Sequence, residues 1–381
     1  MPSAVDPPPC LAPLQEIMLR DSYDSPHAGY HVEQVEITFA LDCAAGRIAA
    51  AWDETVAATE ALRTAFDFSH GIPTGCHGTR DFPAMEIHNA APTSWESWRE
   101  ADRCRPLLFP DEVPWRIACW PQARRLVWTF HHALLDGRSI TRILRGFLAR
   151  LEGDSAEALP LAKWNSPSPE AVELATQMFQ EMPSIHFEIP HDPSPSGPAL
   201  RCLGNEFAMA LEARAAEIQT TAATLLTWAW GCALADFSGT DAVMVEQVRA
   251  GAPQPGTAGF TMNVLPLLIR RCSLQDFQAD LLALRDIESV SFSDFAAGIY
   301  PDVHAPGIST IMVEHSTLHH SIGQSDLIES IILHERGADA LMATAHLLPD
   351  FRLEVEGPHR HELLDEWIEA LQKLERGIHP A

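Results

Sequence analysis

The run Trp128-Thr129-Phe130-His131-His132-Ala133-Leu134-Leu135-Asp136-Gly137-Arg138-Ser139 sets two imidazoles, a carboxylate and a glycine at one junction. Histidine titrates near neutrality and so suits proton transfer at working pH. A buried aspartate beside it needs a cation or hydrogen-bond donors to offset its lost hydration. Metal binding is not expected. The histidines are adjacent rather than four apart, and no Cys-x-x-Cys or His-Glu-x-x-His accompanies them. Two satisfied core side chains are the alternative to proton chemistry.

The elements that must position these groups follow from the flanking residues. Residues 125–130 are rich in Val, Trp, Thr and Phe and predict a buried strand. Side chains alternate along a strand, so His131 and His132 should point in opposite directions, with only one facing a given cavity. Asp136 and Gly137 supply the turn, and Ile140, Ile143, Leu144 and Phe147 form the apolar face of a helix over 139–151. Further strands are expected at 31–41, 115–120, 205–209, 242–247, 263–269, 308–314, 328–333 and 341–347. Helices are expected at 45–62, 211–236, 273–289 and 361–375. Pro/Ser-rich tracts at 160–169 and 190–198 read as linker and bracket a further expected helix.

Bulk properties bound the function. With 381 residues, 46% of them apolar, the chain can build one large or two ordinary cores. A net charge of −26 argues against nucleic acid and anionic membrane as partners. Arg103, Arg105, Arg116, Arg124 and Arg125 cluster in sequence, as a solvated face or a basic docking patch. Cysteines 10, 43, 76, 104, 119, 202, 232 and 272 lie scattered, as buried thiols of a reducing compartment do. The start lacks signal-peptide character and no apolar run is long enough to span a bilayer, so the cytoplasm is the expected location.

His131 to Gly137 resembles the His-His-x-x-x-Asp-Gly motif of nonribosomal peptide synthetase condensation domains and their chloramphenicol-acetyltransferase-like relatives. Three more segments are similar to that family, in order. Leu11 to Leu19 resembles its opening Ser/Ala-x-x-Gln helix, Glu60 to Phe66 its His-x-x-Leu-Arg-Thr-x-Phe element, and Gly259 to Leu267 its Gly-x-Phe-x-Asn-x-x-Pro-Leu segment. The resemblance implies an α/β fold of two acetyltransferase-like lobes forming a V around a central channel. The lobes would span 1–165 and 199–381, with a linker at 166–198.

By resemblance, His132 is the catalytic imidazole, which either deprotonates the acceptor or orients it and steadies the tetrahedral intermediate. His131 supports it, and Gly137 lets a substrate arm approach the backbone. Asp136 is architectural, salt-bridged to an arginine for which Arg249 is the candidate. Ser139, Asn263, Arg249 and His315 are the candidate channel residues. No Gly-x-Ser-x-Gly elbow stands near the histidines, which favours direct transfer over an acyl-enzyme.

The implied activity joins a thioester-activated acyl group to an amine, giving an amide, in secondary metabolism. The donor would ride on the phosphopantetheine arm of an acyl or peptidyl carrier protein, or on coenzyme A, with no tightly bound cofactor. An alcohol acceptor giving an ester, and a non-catalytic module that recruits carrier or synthetase proteins, are the alternatives. The family's Tyr-x-Asp-Tyr-x-x-Trp element is missing around 160–180, and its His/Asn-Gln-Asp element near 290. Those departures point to a divergent, stand-alone member.

Overall fold

The structure is a computed structural model that describes residues 11–68, 74–77, 82–109, 112–180, 197–251, 254–270, 274–290, 309–323, 325–336 and 341–376. The chain runs through α1 (Pro13–Asp24), β1 (Val32–Phe39), α2 (Ala45–Ala58), β2 (Thr64–Asp67), β3 (Thr74–His77), β4 (Glu86–Ile87) and α3 (Trp95–Arg103). Next come β5 (Trp115–Trp120), β6 (Arg125–His131), α4 (Gly137–Glu152), α5 (Pro169–Gln180), β7 (Ala199–Cys202), α6 (Asn205–Glu217) and α7 (Ala222–Ser238). It closes with β8 (Ala242–Arg249), β9 (Asn263–Arg270), α8 (Leu274–Ala283), β10 (Ser309–Ser316), α9 (Leu318–Ile322), β11 (Ile328–His334), β12 (Leu341–Leu348), β13 (Arg352–Glu356) and α10 (Arg360–Glu375).

These elements form two compact α/β units, and the chain passes between them more often than a lobe, a linker and a second lobe would require. The first unit takes residues 1–165 together with 250–262 and 318–338; the second takes 166–249, 263–317 and 339–381. The helix expected between the two Pro/Ser-rich tracts is α5; residues 181–196 lie outside the described residues.

The first unit is built on a sheet of order β11-β1-β6-β5-β4, with β1 antiparallel to both β6 and β11. Val35, Ile37 and Phe39 alternate onto one face, where Trp52 of α2 meets Trp115, Trp128 and Phe147 edge-on, with ring centroids 5.7, 5.1 and 5.6 Å away. Such edge-to-face pairs add about 0.5–1.5 kcal/mol each beyond the area they bury.

The opposite face is polar yet buried. Glu36 pairs with Arg99 at 2.8 Å and Arg125 at 2.9 Å. Asp102 pairs with Arg116 at 2.7 Å and Arg105 at 3.1 Å. Burial alone would raise the Glu36 carboxyl pKa, but His334, Arg125 and Arg99 hold it below the usual carboxylate range. The arginine cluster is thus corrected. Arg103 is buried and donates to the Val32 carbonyl, and Arg124 donates to the Ala40 carbonyl. Most of this charge is turned inward rather than forming a docking patch or a solvated face, because it answers the acids that β1 and α3 bury.

The second unit carries a sheet of order β7-β13-β12-β10-β8-β9, in which β10 runs parallel to β8 and β12. Residues 224–235 of α7 are all buried, so this helix has core contacts all round instead of one apolar stripe. Trp230 donates to Ser309 Oγ at 3.0 Å and packs on Trp367, whose ring N–H reaches the Leu226 carbonyl at 3.1 Å. The strand expected at 205–209 is instead the start of α6, and the long helix expected over 211–236 is two helices. The chain turns at Gln219, whose φ is 57°, and Thr221 restarts the helix by accepting the Thr224 N–H.

Among the described residues no helix is long and apolar enough to cross a membrane, and no cluster of His, Cys, Asp and Glu has the makings of a metal site.

Candidate active site

The candidate site forms where β6 ends. His131 is the last residue of the strand, a short 3-10 turn covers His132–Leu134, and α4 begins at Gly137. Antiparallel pairing sets Val32 of β1 opposite His131 and Glu33 opposite Phe130, so the two strands bring Glu33 to this same end of the sheet. The turn is tied down locally and from afar. His131 Nδ1 accepts the Ala133 N–H at 3.1 Å, and the His132 N–H donates to the His31 carbonyl at 2.7 Å. Gln15 of α1 donates from Nε2 to the Ala133 carbonyl at 2.7 Å, while its Oε1 accepts the Ala12 N–H at 2.6 Å.

The two histidines have different surroundings and different charge. His131 is fully buried, and its Nε2 meets Ser22 Oγ at 2.9 Å. Because Nδ1 accepts, the ring proton sits on Nε2 and Ser22 receives it; Ser22 in turn donates to the Tyr30 carbonyl. Burial, helped by the neighbouring His31 and His132, holds His131 well below the ordinary histidine pKa, so it is neutral. A cavity of about 280 Å³ lies on its side, lined also by Tyr23, Tyr30, Leu107 and Phe109.

His132 keeps 17% of its side chain exposed. Its Nδ1 lies 3.0 Å from Glu33 Oε1 and 3.0 Å from the Leu135 carbonyl, and its ring meets Phe260 edge-on at 5.7 Å. Burial alone would lower its pKa. The charge and hydrogen bond of Glu33, the charge of Glu335 and the Leu135 carbonyl overcome that and push it up to about 9. With Nδ1 committed to these acceptors, Nε2 is the nitrogen left to meet a substrate.

Asp136 caps α4 and stitches a distant segment to it. Its Oδ1 accepts the Ser139 N–H at 2.8 Å; its Oδ2 accepts the Thr261 N–H at 3.1 Å and the Thr261 hydroxyl at 2.8 Å. Ser139 Oγ donates to the Gly259 carbonyl and accepts the Gly259 N–H. The segment 259–261 also supplies Phe260 to His132, which gives a physical reason for both sequence segments to be kept in one chain. A Cβ added at Gly137 would meet nothing within 4 Å, so the first residue of α4 leaves its backbone approachable.

Arg249, the candidate partner of Asp136, pairs within the second unit with Glu288, with Nε at 3.0 Å, and donates to Gln247 at 2.9 Å. Within the first unit the Asp136 carboxylate accepts one hydroxyl and two backbone N–H groups. Asn263 is buried in the second unit, its amide donating to the Glu288 and Val290 carbonyls at 2.9 Å each. His315 is exposed on β10. Sequence reasoning missed Gln15, Ser22, Glu33 and Thr261. Glu33 carried a signal, as an acid in phase with Val35, Ile37 and Phe39 on the apolar face of β1, and Gln15 and Thr261 lie inside segments already singled out by resemblance.

No family model matches the chain. Nonribosomal peptide synthetase 5 of Aspergillus fumigatus is 29% identical over 276 residues, which are 63% of this chain and 12% of that protein. Nonribosomal peptide synthetase pboA of Aspergillus ustus is 25% identical over 332 residues, 80% of this chain and 16% of that one. The chain therefore spans only a small part of the length of the relatives it matches. Among solved structures, the condensation domain of the monacolin K polyketide synthase MokA superposes with a TM-score of 0.76 at 14% identity, covering 97% of each chain. The first condensation domain of the calcium-dependent antibiotic synthetase, in complex with a substrate analogue, gives 0.76 at 15% identity, covering 99% of this chain and 98% of that one. A mutant of the starter condensation domain of rhizomide synthetase RzmA, in complex with C8-CoA and Leu-SNAC, gives 0.75 at 13% identity, covering 97% and 94%. The chain thus has the condensation-domain fold, and its homologues are nonribosomal peptide synthetases.

Proposed function

We propose that this chain is a condensation-type acyltransferase that joins a thioester-bound acyl group to an amine, with His132 at the reacting carbonyl. The observation that carries this reading is the state of His132. Its Nδ1 is anchored by Glu33 and Leu135, the ring is partly exposed, and the turn beneath it is held by Gln15, while Asp136 holds the start of the next helix. That is the preorganisation a catalytic imidazole needs, and a side chain serving only the core would not need the exposure. Among the fold neighbours, the RzmA starter condensation domain mutant in complex with C8-CoA and Leu-SNAC supports these substrate classes.

In this reading the donor is an acyl thioester on a carrier protein's phosphopantetheine arm or on coenzyme A. Its carbonyl is already activated, so placing the amine beside it supplies much of the acceleration. The amine nitrogen attacks the carbonyl carbon, the C–S bond breaks, and amide and thiol leave. Asp136, Ser139 and Gly137 hold and open the helix start; His131, neutral and satisfied, supports the turn.

The test is product formation followed by mass spectrometry, over acyl-CoA and acyl-carrier donors with amine and alcohol acceptors. Amide made by the wild type and reduced by about two to four powers of ten in His132→Ala is the expected result. An ester product would replace the acceptor class. Tight binding of a loaded carrier without turnover would replace catalysis by recruitment.

A further inference from the structure

Glu33 is a carboxylate where β1 should have buried an apolar side chain. It is 2% exposed, and one of its oxygens, Oε2, is buried with no hydrogen-bond partner among the described residues. Removing a carboxylate from water costs several kcal/mol unless a counter-charge meets it. Among the described residues its one ion-pair partner is His132, at 3.0 Å, with Arg103 acting at longer range. A neutral imidazole would satisfy one lone pair of Glu33 and leave the buried charge unanswered. A protonated ring neutralises it.

Resting on the acyl-transfer reading, we infer that Glu33 is a positioning residue that keeps His132 as an imidazolium, so that Nε2–H acts as a donor to the reacting centre instead of as the base that takes the acceptor's proton. The other titratable groups around the ring are Glu335, which adds negative charge after β11, and His131 and His31. His131 is held neutral by its burial. The rise of His132 to about 9 follows the same geometry.

The chemistry balances with the ring charged. A neutral amine forms the C–N bond as the carbonyl π pair moves onto oxygen, and Nε2–H donates a hydrogen bond to that oxygen. On collapse the C=O bond reforms and the C–S bond breaks. The departing thiolate takes the surplus proton from the amide nitrogen. Amide and thiol leave, and the ring is an imidazolium throughout.

The experiment is a ring-carbon NMR titration of His132 in the full chain, without substrate, for wild type, Glu33→Gln and Glu33→Asp, with transfer rates across the same pH range. Wild type should titrate near 9 and Glu33→Gln at least one unit lower, a tenfold or larger change in the protonation equilibrium. Glu33→Asp, which keeps the charge, should remain close to wild type. The ratio of wild-type to Glu33→Gln rate cancels the acceptor's own ionisation, and it should grow as pH rises through the variant's lower pKa. A purely structural Glu33 would give a ratio independent of pH, and a catalytic base would make Glu33→Gln the faster enzyme near neutrality; either result overturns the inference. An unshifted titration in Glu33→Gln overturns it too. A shifted titration with no turnover in any variant removes the acyl-transfer reading and the donor role with it, and leaves the ion pair standing.

Discussion

Replacing Asp136 with alanine tests how the motif is held together. The carboxylate is 3% exposed and accepts three hydrogen bonds, one from the first turn of α4 and two from Thr261, itself 7% exposed. Losing the helix cap costs about 1 kcal/mol. Stranding the buried Thr261 N–H and hydroxyl costs a further ~1–3 kcal/mol each. The sum, about 3–7 kcal/mol before coupling, is a large part of the ~5–15 kcal/mol that holds a domain together. Thr261→Val removes the hydroxyl alone and should cost about 1–1.5 kcal/mol. Because Asp136 and Thr261 share bonds, the double variant should fall short of additivity by about 1 kcal/mol. Urea denaturation would blend two units, so peptide-resolved hydrogen exchange is the better assay, with protection lost over 137–141 and 258–262. If Arg249→Ala reproduced that exchange pattern while Thr261→Val left it untouched, the assignment of Thr261 as the partner of Asp136 would be refuted.

Two further perturbations probe the second unit. His346 is buried against Glu314 at 2.7 Å, with Glu354 at 3.9 Å; burial opposes its charge, but these two carboxylates push its pKa up to about 9. A folded pKa above the unfolded value of about 6.5 gives stability that is complete below ~6.5 and lost as pH rises through ~9, at most about 3 kcal/mol. His346→Gln should therefore flatten the second unit's stability between those pH values, as read by exchange in β12; an unchanged slope would sink the assignment. In α7, a Cβ at Gly231 would lie 2.4–2.6 Å from Ile269 side-chain atoms, one of them its Cβ. Gly231→Ala should lower the melting temperature despite alanine's helix preference, because overpacking costs about 1–3 kcal/mol against a gain near 1. A variant as stable as wild type would show that Ile269 yields freely.

The strand, turn and helix around His131–Gly137 were legible in the residues themselves, since alternation, turn chemistry and helical spacing act over a few neighbours. So were β5 with β6, α4 with its apolar face, and the α/β class. The start of α6 was misread, because Phe207 and Met209 alternate as a strand would, while the bonds that close a helix there depend on Gly204 ending the preceding loop with φ of 81°. The arginines between 103 and 125 were visible as a cluster, but whether they faced solvent or the acids of β1 was set by how α3 packs on the sheet. The same holds at the site. A buried acid such as Glu33 can be seen in sequence, but that it lies 3.0 Å from His132 follows from β1 pairing with β6 in one register. Asp136 announces that it needs donors, and Thr261, 125 positions on, supplies them only because residues 250–262 return to the first unit. Local pattern specifies which groups are present and on which kind of element; which partner neutralises a buried charge is decided by contacts between segments far apart in the chain, and no local spacing encodes them.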